Sequence, residues 1–165
     1  MGKKISAQMT YDADPTAVYA MYADPEFVRE KNERTGGRNV AVEVDARGEG
    51  CVIVASRELP ADQLPSIAKK FVGDTIATTQ TDTWQAPNSG NDRDGTMSVD
   101  FHSLPMSVSG TFRLEATKNG TVCKIEAEVK ASVPFVSGKL EDVTAGQFMR
   151  AVGAEEKIGR EWLAN

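Results

Sequence analysis

The sequence predicts an α+β fold in which a curved, seven-stranded antiparallel sheet wraps around one long C-terminal helix. Apolar and polar residues alternate with a period of two over most of the chain, and turn residues separate the runs, as in half-buried antiparallel strands. The chain has 16 Val and 13 Thr but only 6 Leu, and β-branched residues favour strands. Near the C-terminus the apolar spacing instead becomes helical.

Length and charge restrict the classes of protein that this chain can belong to. Its 165 residues fit one domain, which we expect to span residues 1–165. A net charge of −5 is poorly suited to nucleic-acid binding, which needs a clustered basic surface. No apolar run approaches the roughly 20 residues of a membrane span, so we expect no integral membrane association. The N-terminus has no apolar signal region, so the expected compartment is cytoplasmic. The oligomeric state stays open.

The first strand is followed by two short helices. Residues 4–11 alternate apolar and polar side chains and predict a half-buried strand. Asp-Pro pairs follow at 14–15 and 24–25. Asp is a good N-cap, and Pro is preorganised for the first helical position. We therefore expect helices over about 15–22 and 25–34.

Six further strand patterns follow, and tight turns join most of them, so consecutive strands should be antiparallel neighbours. They lie near residues 40–45, 52–55, 75–85, 97–102, 108–114 and 123–130.

The segment 59–73 between the third and fourth strands is too long for an ordinary hairpin loop. Its apolar residues have the spacing of one helix face, with Lys69 and Lys70 on the outer side, and predict a short amphipathic helix that starts near Pro65. Two interpretations stay open: a surface helix that closes the edge of the core, or a lid over a cavity mouth. The spaced apolar residues are Leu64, Ile67, Ala68, Phe71 and Val72.

The last helix is expected over about 138–163. Glycines at 146, 153 and 159 each cost about 1 kcal/mol relative to Ala in a helix, which is explained either by close packing against the sheet or by a kinked, frayed helix. The apolar face carries Leu140, Val143, Phe148, Ala151, Val152, Ala154, Ile158 and Trp162. The opposite face carries Glu141, Asp142, Arg150, Glu155, Glu156 and Lys157.

A twisted sheet must curl to pack against a helix, and helix and sheet together do not fill the enclosed space at both ends. We therefore expect an internal cavity lined by inward-facing strand positions.

This order of elements resembles the helix-grip fold of the START-like, lipid-transfer and polyketide-cyclase superfamily (SRPBCC), over nearly the whole chain. Locally the chain is similar to an uncharacterised bacterial family within that superfamily. The resemblance implies a cavity that binds a hydrophobic small molecule, and some superfamily members catalyse cyclisation or hydration there. It carries over no catalytic residue and no cofactor. The local similarity lies in Val28–Gly36, Leu64–Val72, Thr83-Trp84 and Val133–Glu141.

The candidate ligand-binding residues are mostly aromatic, and a few polar groups accompany them, as is usual in small-molecule pockets. One alternative stays open for strand 75–85. If the Trp84 side faces inward, Asp82 lines the cavity, its pKa is raised by burial, and it is a candidate general acid or base. If the Thr81 side faces inward, Asp82 is a solvated surface residue. The candidates are Tyr19, Tyr22, Phe71, Gln80, Asp82, Trp84, Phe101, Phe112 and Phe148.

The histidine and the two cysteines do not have the spacing of a catalytic or metal site. The single histidine, His102, shares the outward side of its strand with polar residues. Cys51 and Cys123 are expected to be small, buried, reduced thiols, because they form no CxxC pair and have no histidine nearby. The favoured hypothesis is a binding protein for a hydrophobic or amphipathic small molecule. The alternatives are a cavity enzyme of the cyclase or hydratase kind, or a partner-binding protein with a filled core.

Overall fold

The predicted architecture is confirmed in a computed structural model, which describes residues 2–62 and 64–165. The seven strands form one antiparallel sheet in the order β1-β7-β6-β5-β4-β3-β2. Two short helices lie between β1 and β2, one lies between β3 and β4, and a long helix follows β7. The elements are β1 (Lys3–Tyr11), α1 (Pro15–Tyr22), α2 (Pro25–Arg34), β2 (Arg38–Arg47), β3 (Gly50–Pro60), α3 (Ser66–Lys69), β4 (Thr75–Trp84), β5 (Arg93–Phe101), β6 (Met106–Ala116), β7 (Thr121–Ala131) and α4 (Ser137–Ala164).

Helices α1 and α2 begin and end where the sequence predicts. The Asp14 carboxylate accepts a hydrogen bond of 2.8 Å from the backbone N–H of Ala17, and Asp24 accepts one of 2.9 Å from Glu26. In both helices Pro occupies the first turn. These caps satisfy N–H groups that would otherwise have no partner at the start of a helix.

The short helix predicted within residues 59–73, starting near Pro65, is present. Strand β3 continues to Pro60, and helix α3 covers only Ser66–Lys69. Ala68 is buried, but Ile67 and Phe71 are exposed. The apolar face predicted for this segment is therefore only partly buried. Gln63, within this segment, lies outside the described residues.

Helix α4 packs most closely on β1 and β7 at one side of the sheet and also contacts α1 and α2. Close packing accounts for only one of the glycines at 146, 153 and 159. A Cβ added at Gly159 would lie 2.7 Å from the Tyr11 ring, so close packing requires glycine there. A Cβ added at Gly146 or Gly153 would meet nothing within 4 Å.

The outer face predicted for α4 is wrong at Glu141. This side chain is buried, and its carboxylate accepts a 2.9 Å hydrogen bond from the backbone N–H of Ala131 at the end of β7. The chain turns directly from β7 into α4, so the first turn of the helix lies over that strand end. None of the helices in the described part of the chain has the length and apolar character needed to traverse a bilayer.

Candidate functional site

A cavity of about 450 Å³ lies between α4 and the concave face of the sheet. This volume is within the range of small-molecule pockets. Strands β5 and β6 and the first half of α4 form an apolar side of the cavity. That side is lined by Met97, Val99, Phe101, Met106, Val108, Phe112, Val143 and Phe148.

The cavity opens near the ends of α2 and β3. Four of its lining residues are exposed to solvent and therefore mark the rim: Gly36, Pro60, Asp62 and Gln147. Leu64, which precedes α3, also lines the cavity. The segment between β3 and β4 therefore borders the opening, while its exposed residues Ile67 and Phe71 face away from the cavity.

Strand β4 turns its Trp84 side inward, which decides between the two orientations left open by the sequence. Gln80, Asp82 and Trp84 all line the cavity. Thr79 lies on the opposite face, where its hydroxyl is 2.8 Å from Nε2 of the exposed His102. The expected outward position of this histidine thus agrees with the structure.

Asp82 is a buried carboxyl group whose pKa is higher than that of an ordinary aspartate. It is 8% exposed, and the Gln80 side-chain amide donates a 3.0 Å hydrogen bond to it. Burial raises the pKa of Asp82 to about 6, because an ionised carboxylate loses its hydration there. The positive charges of Lys31 and Arg57 oppose this rise, and the negative charge of Glu155 adds to it.

Three more charged residues line the same side of the cavity: Lys31 from α2, Arg57 from β3 and Glu155 from α4. We call these three residues and Asp82 the polar cluster. Lys31 Nζ lies 2.9 Å from Glu155 Oε1. Burial alone would lower the pKa of Lys31, but the carboxylates of Glu155 and Asp82 raise it above its usual value.

Arg57 is held in place by its neighbours on α2. Its Nη1 donates a 2.6 Å hydrogen bond to Oδ1 of Asn32. The side-chain amide of Asn32 in turn donates a 2.7 Å hydrogen bond to the backbone carbonyl of Val28. Burial lowers the pKa of Arg57, while Glu155 and Asp82 act in the opposite direction. Within the described ranges no carboxylate forms an ion pair with Arg57, so most of its N–H groups have no acceptor there.

Sequence reasoning missed Lys31 and Arg57 and placed Glu155 on the wrong face of α4. Signals for all three were present in the spacing. Lys31 follows the buried Phe27 by four residues, Arg57 follows the buried Ala55 by two, and Glu155 follows Phe148 by seven. Each of these charged residues therefore shares a face with apolar residues. A hydrophobic pattern assigns such a face to the interior but gives no reason to expect a charged side chain there.

An aromatic wall closes the cavity beneath α1. The Trp84 ring stacks between the rings of Tyr22 and Phe112, with centroids 5.8 Å and 5.3 Å away. The Tyr22 hydroxyl donates a 3.1 Å hydrogen bond to the Tyr11 hydroxyl. Burial raises the pKa of Tyr22 well above its usual value, so the hydroxyl remains protonated.

Seven of the nine candidate residues line the cavity: Tyr22, Gln80, Asp82, Trp84, Phe101, Phe112 and Phe148. Tyr19 and Phe71 lie outside this lining. Tyr19 lies behind Trp84, with ring centroids 6.2 Å apart, and packs against the guanidinium of Arg93 at 3.5 Å. Phe71 follows α3 and is 50% exposed.

Both cysteines are free and buried, as the sequence predicts. Cys123 lines the cavity, and burial raises its pKa to about 12, so its thiol is unreactive at neutral pH. Across residues 2–62 and 64–165, no group of three or more His, Cys, Asp or Glu side chains is arranged to hold a metal ion.

A family model matches almost the whole chain, over residues 6–163, and its description is "Protein of unknown function (DUF2505)". The chain belongs to this family. No curated protein matches the sequence.

Solved structures of low sequence identity share the fold of this chain. The chain is similar to TTHA0849 from Thermus thermophilus, with a TM-score of 0.62, 15% identity, and 96% of this chain and 95% of that chain covered. It is similar to the Zhui aromatase/cyclase from Streptomyces sp. R1128, with a TM-score of 0.62, 10% identity, and coverage of 98% and 93%. Human STARD10 gives a TM-score of 0.63, 12% identity, and coverage of 94% and 62%. At these identities the likeness shows the fold.

Proposed function

We propose that this protein binds a hydrophobic or amphipathic small molecule in its internal cavity. The observation that carries the proposal is a cavity of about 450 Å³ that is apolar on the side of β5, β6 and the first half of α4, and charged on the side of α2, β3 and β4. Transfer of the apolar part of a ligand from water into the cavity is favourable by about 25 cal/mol per Å² of buried surface. The polar cluster then offers partners for a head group.

The size of the cavity argues against the alternative of a filled core. The cavity of about 450 Å³ is far larger than the roughly 30 Å³ that one water molecule occupies in the liquid. Interiors of ordinary domains are close-packed and contain few voids larger than a single water.

Native mass spectrometry of gently purified protein tests the proposal, together with thermal unfolding in the presence of lipids, sterols and aromatic polyketides. We expect a co-purifying mass or a rise in Tm with one of these classes. Ala151→Trp would fill the cavity and abolish binding, because Ala151 lines it. Met149→Trp is the matched control, because Met149 is on the same helix but is exposed. Absence of any bound mass and of any Tm shift would refute the proposal.

A second candidate is a cavity enzyme of the cyclase or hydratase kind. The observation that favours it is Asp82, whose pKa of about 6 suits proton transfer near neutral pH, beside the polar side chain of Gln80. Likeness to a protein named an aromatase/cyclase is consistent with this candidate. Incubation with a reactive poly-β-ketone and analysis of products by mass spectrometry tests it. Turnover by the natural protein that Asp82→Asn abolishes is the expected result, and no turnover would exclude it.

A further inference from the structure

We propose that the polar side of the cavity is a subsite for a carboxylate, in which the Arg57 guanidinium pairs with the acid head group of an amphipathic ligand. The proposal rests on the proposed function and narrows its ligand to an amphipathic carboxylic acid. The tail of such a ligand would lie along the apolar side of the cavity, against residues such as Met97 and Val108.

The ion pairs of the polar cluster leave one cation available. Lys31 and Glu155 lie 2.9 Å apart and neutralise each other. Arg57 donates to the neutral amide of Asn32 at 2.6 Å and, among the residues described, forms no ion pair. A half-buried guanidinium with free donors is a favourable site for a carboxylate, because its planar fork matches the two oxygens of the anion.

The charges of the polar cluster favour a ligand head group with a single negative charge. A dianion such as a phosphate monoester would need a second free cation, but Lys31 is already paired with Glu155. A cationic head group would need a free carboxylate. At pH 6 Asp82 supplies only part of a negative charge, because burial raises its pKa to about 6. One carboxylate on the ligand balances the one unpaired guanidinium.

Binding of a carboxylate should also be linked to proton uptake. The titratable and charged groups that face Asp82 are Lys31 on α2, Arg57 on β3, Glu155 on α4 and Cys123 on β7, with Gln80 on its own strand. A further negative charge at Arg57 disfavours the ionised form of Asp82. Asp82 should therefore take up a proton when the ligand binds near neutral pH, and affinity for the acid should fall as the pH rises above about 6.

The experiment compares straight-chain fatty acids, from hexanoate to palmitate, with alcohols of the same chain length, by titration calorimetry at pH 6. We expect the best-fitting acid to bind about tenfold or more tightly than its alcohol, since hydrogen bonds to charged groups have that strength. Arg57→Gln should remove this preference, and Arg57→Lys should reduce it. Arg47→Gln is the control, because Arg47 is exposed and paired with Asp45 at 2.7 Å. It should retain the preference.

Proton uptake provides a second measurement that does not depend on the Arg57 variants folding. Calorimetry of the best acid in buffers with different ionisation enthalpies should show uptake by the natural protein near pH 7 and none by Asp82→Asn. Equal affinity for acid and alcohol, a preference that survives Arg57→Gln in a folded variant, or the absence of uptake would overturn the carboxylate subsite while the proposed function stands. If neither acids nor alcohols bind, the cavity-binding proposal falls as well.

Discussion

The ammonium group of Lys31 lies 2.9 Å from the carboxylate of Glu155, and this ion pair joins helix α2 to helix α4 across 124 residues of sequence. The two side chains are only 15% and 23% exposed. Lys31 also lies over the rings of Phe27 and Tyr22, at 5.6 Å and 5.9 Å from their centroids. The pair therefore positions the polar side of the cavity and fixes the two helices that border it.

Replacing Glu155 with Leu should destabilise the protein by about 1–3 kcal/mol, because it leaves Lys31 half-buried without its partner. The double variant Lys31→Met, Glu155→Leu should recover most of this loss, since it removes both charges. Urea unfolding measures both. The exposed pair of Arg47 and Asp45 provides the control, and Arg47→Ala should cost less than about 0.5 kcal/mol. A Glu155→Leu variant as stable as the natural protein would show that the pair does not stabilise the fold.

Asp82 should make the protein less stable as the pH rises from about 4 to about 6. The ordinary pKa of an aspartate is 3.8 and that of Asp82 in the folded protein is about 6, so in this window the folded state binds more protons than the unfolded state. The free energy of unfolding falls as the pH rises wherever the folded state binds more protons, and this loss of stability persists at pH 7. At about 1.4 kcal/mol per pKa unit, it amounts to about 2–3 kcal/mol.

The comparison that isolates this effect is the free energy of unfolding of Asp82→Asn and of the natural protein, at pH 4 and pH 7. The Asn variant has no carboxyl to ionise and should gain about 2–3 kcal/mol relative to the natural protein between these pH values. Parallel pH profiles for the two proteins would mean that Asp82 titrates alike in its folded and unfolded states.

Two glycines of α4 should respond in opposite directions to the same substitution. Gly153→Ala should stabilise by about 0.5–1 kcal/mol, because Ala is the better helix former and its methyl group meets open space. Gly159→Ala should destabilise by about 1–2 kcal/mol, because its Cβ would lie 2.7 Å from Tyr11 and 3.1 Å from Met21. Thermal unfolding of the two variants provides the measurement, and shifts of the same sign would contradict the packing at Gly159.

Trp162 should contribute to stability through its contact with α2. Its ring meets the ring of the buried Phe27 edge to face, with centroids 5.5 Å apart. Since Trp162 is only partly buried, we expect Trp162→Ala to cost about 2–4 kcal/mol and Trp162→Phe clearly less. Chemical denaturation tests this prediction. A loss below about 1 kcal/mol for the Ala variant would mean that the last turns of α4 are frayed in solution.

The fold was largely predictable because its signals are local. Alternation along β1 and β5, and the Asp-Pro pairs before α1 and α2, each depend on residues within one element. The short helix predicted near Pro65 is present as α3, and strand β3 ends before it at Pro60, where it pairs with Thr75.

The candidate site was only partly predictable, because its polar members come from elements far apart in the sequence. The aromatic residues Trp84 and Phe112 could be assigned to the interior from their strand patterns. The inward face of β4 could not be assigned from the sequence, because Thr81 and Asp82 lie on opposite sides of the strand and both sides mix polar with apolar residues. Burial of Lys31 and Glu155 depends on their mutual contact, which no single element reveals.

The sequence by itself determined the order of elements, the two capped helices, the strand alternation and the long last helix, because these follow from hydrogen bonding and apolar spacing between near neighbours. Only the tertiary structure decided that four charged groups meet inside an internal cavity. A buried charge is tolerable only beside partners that lower its desolvation cost, and those partners are brought together by the curvature of the sheet and the path of α4.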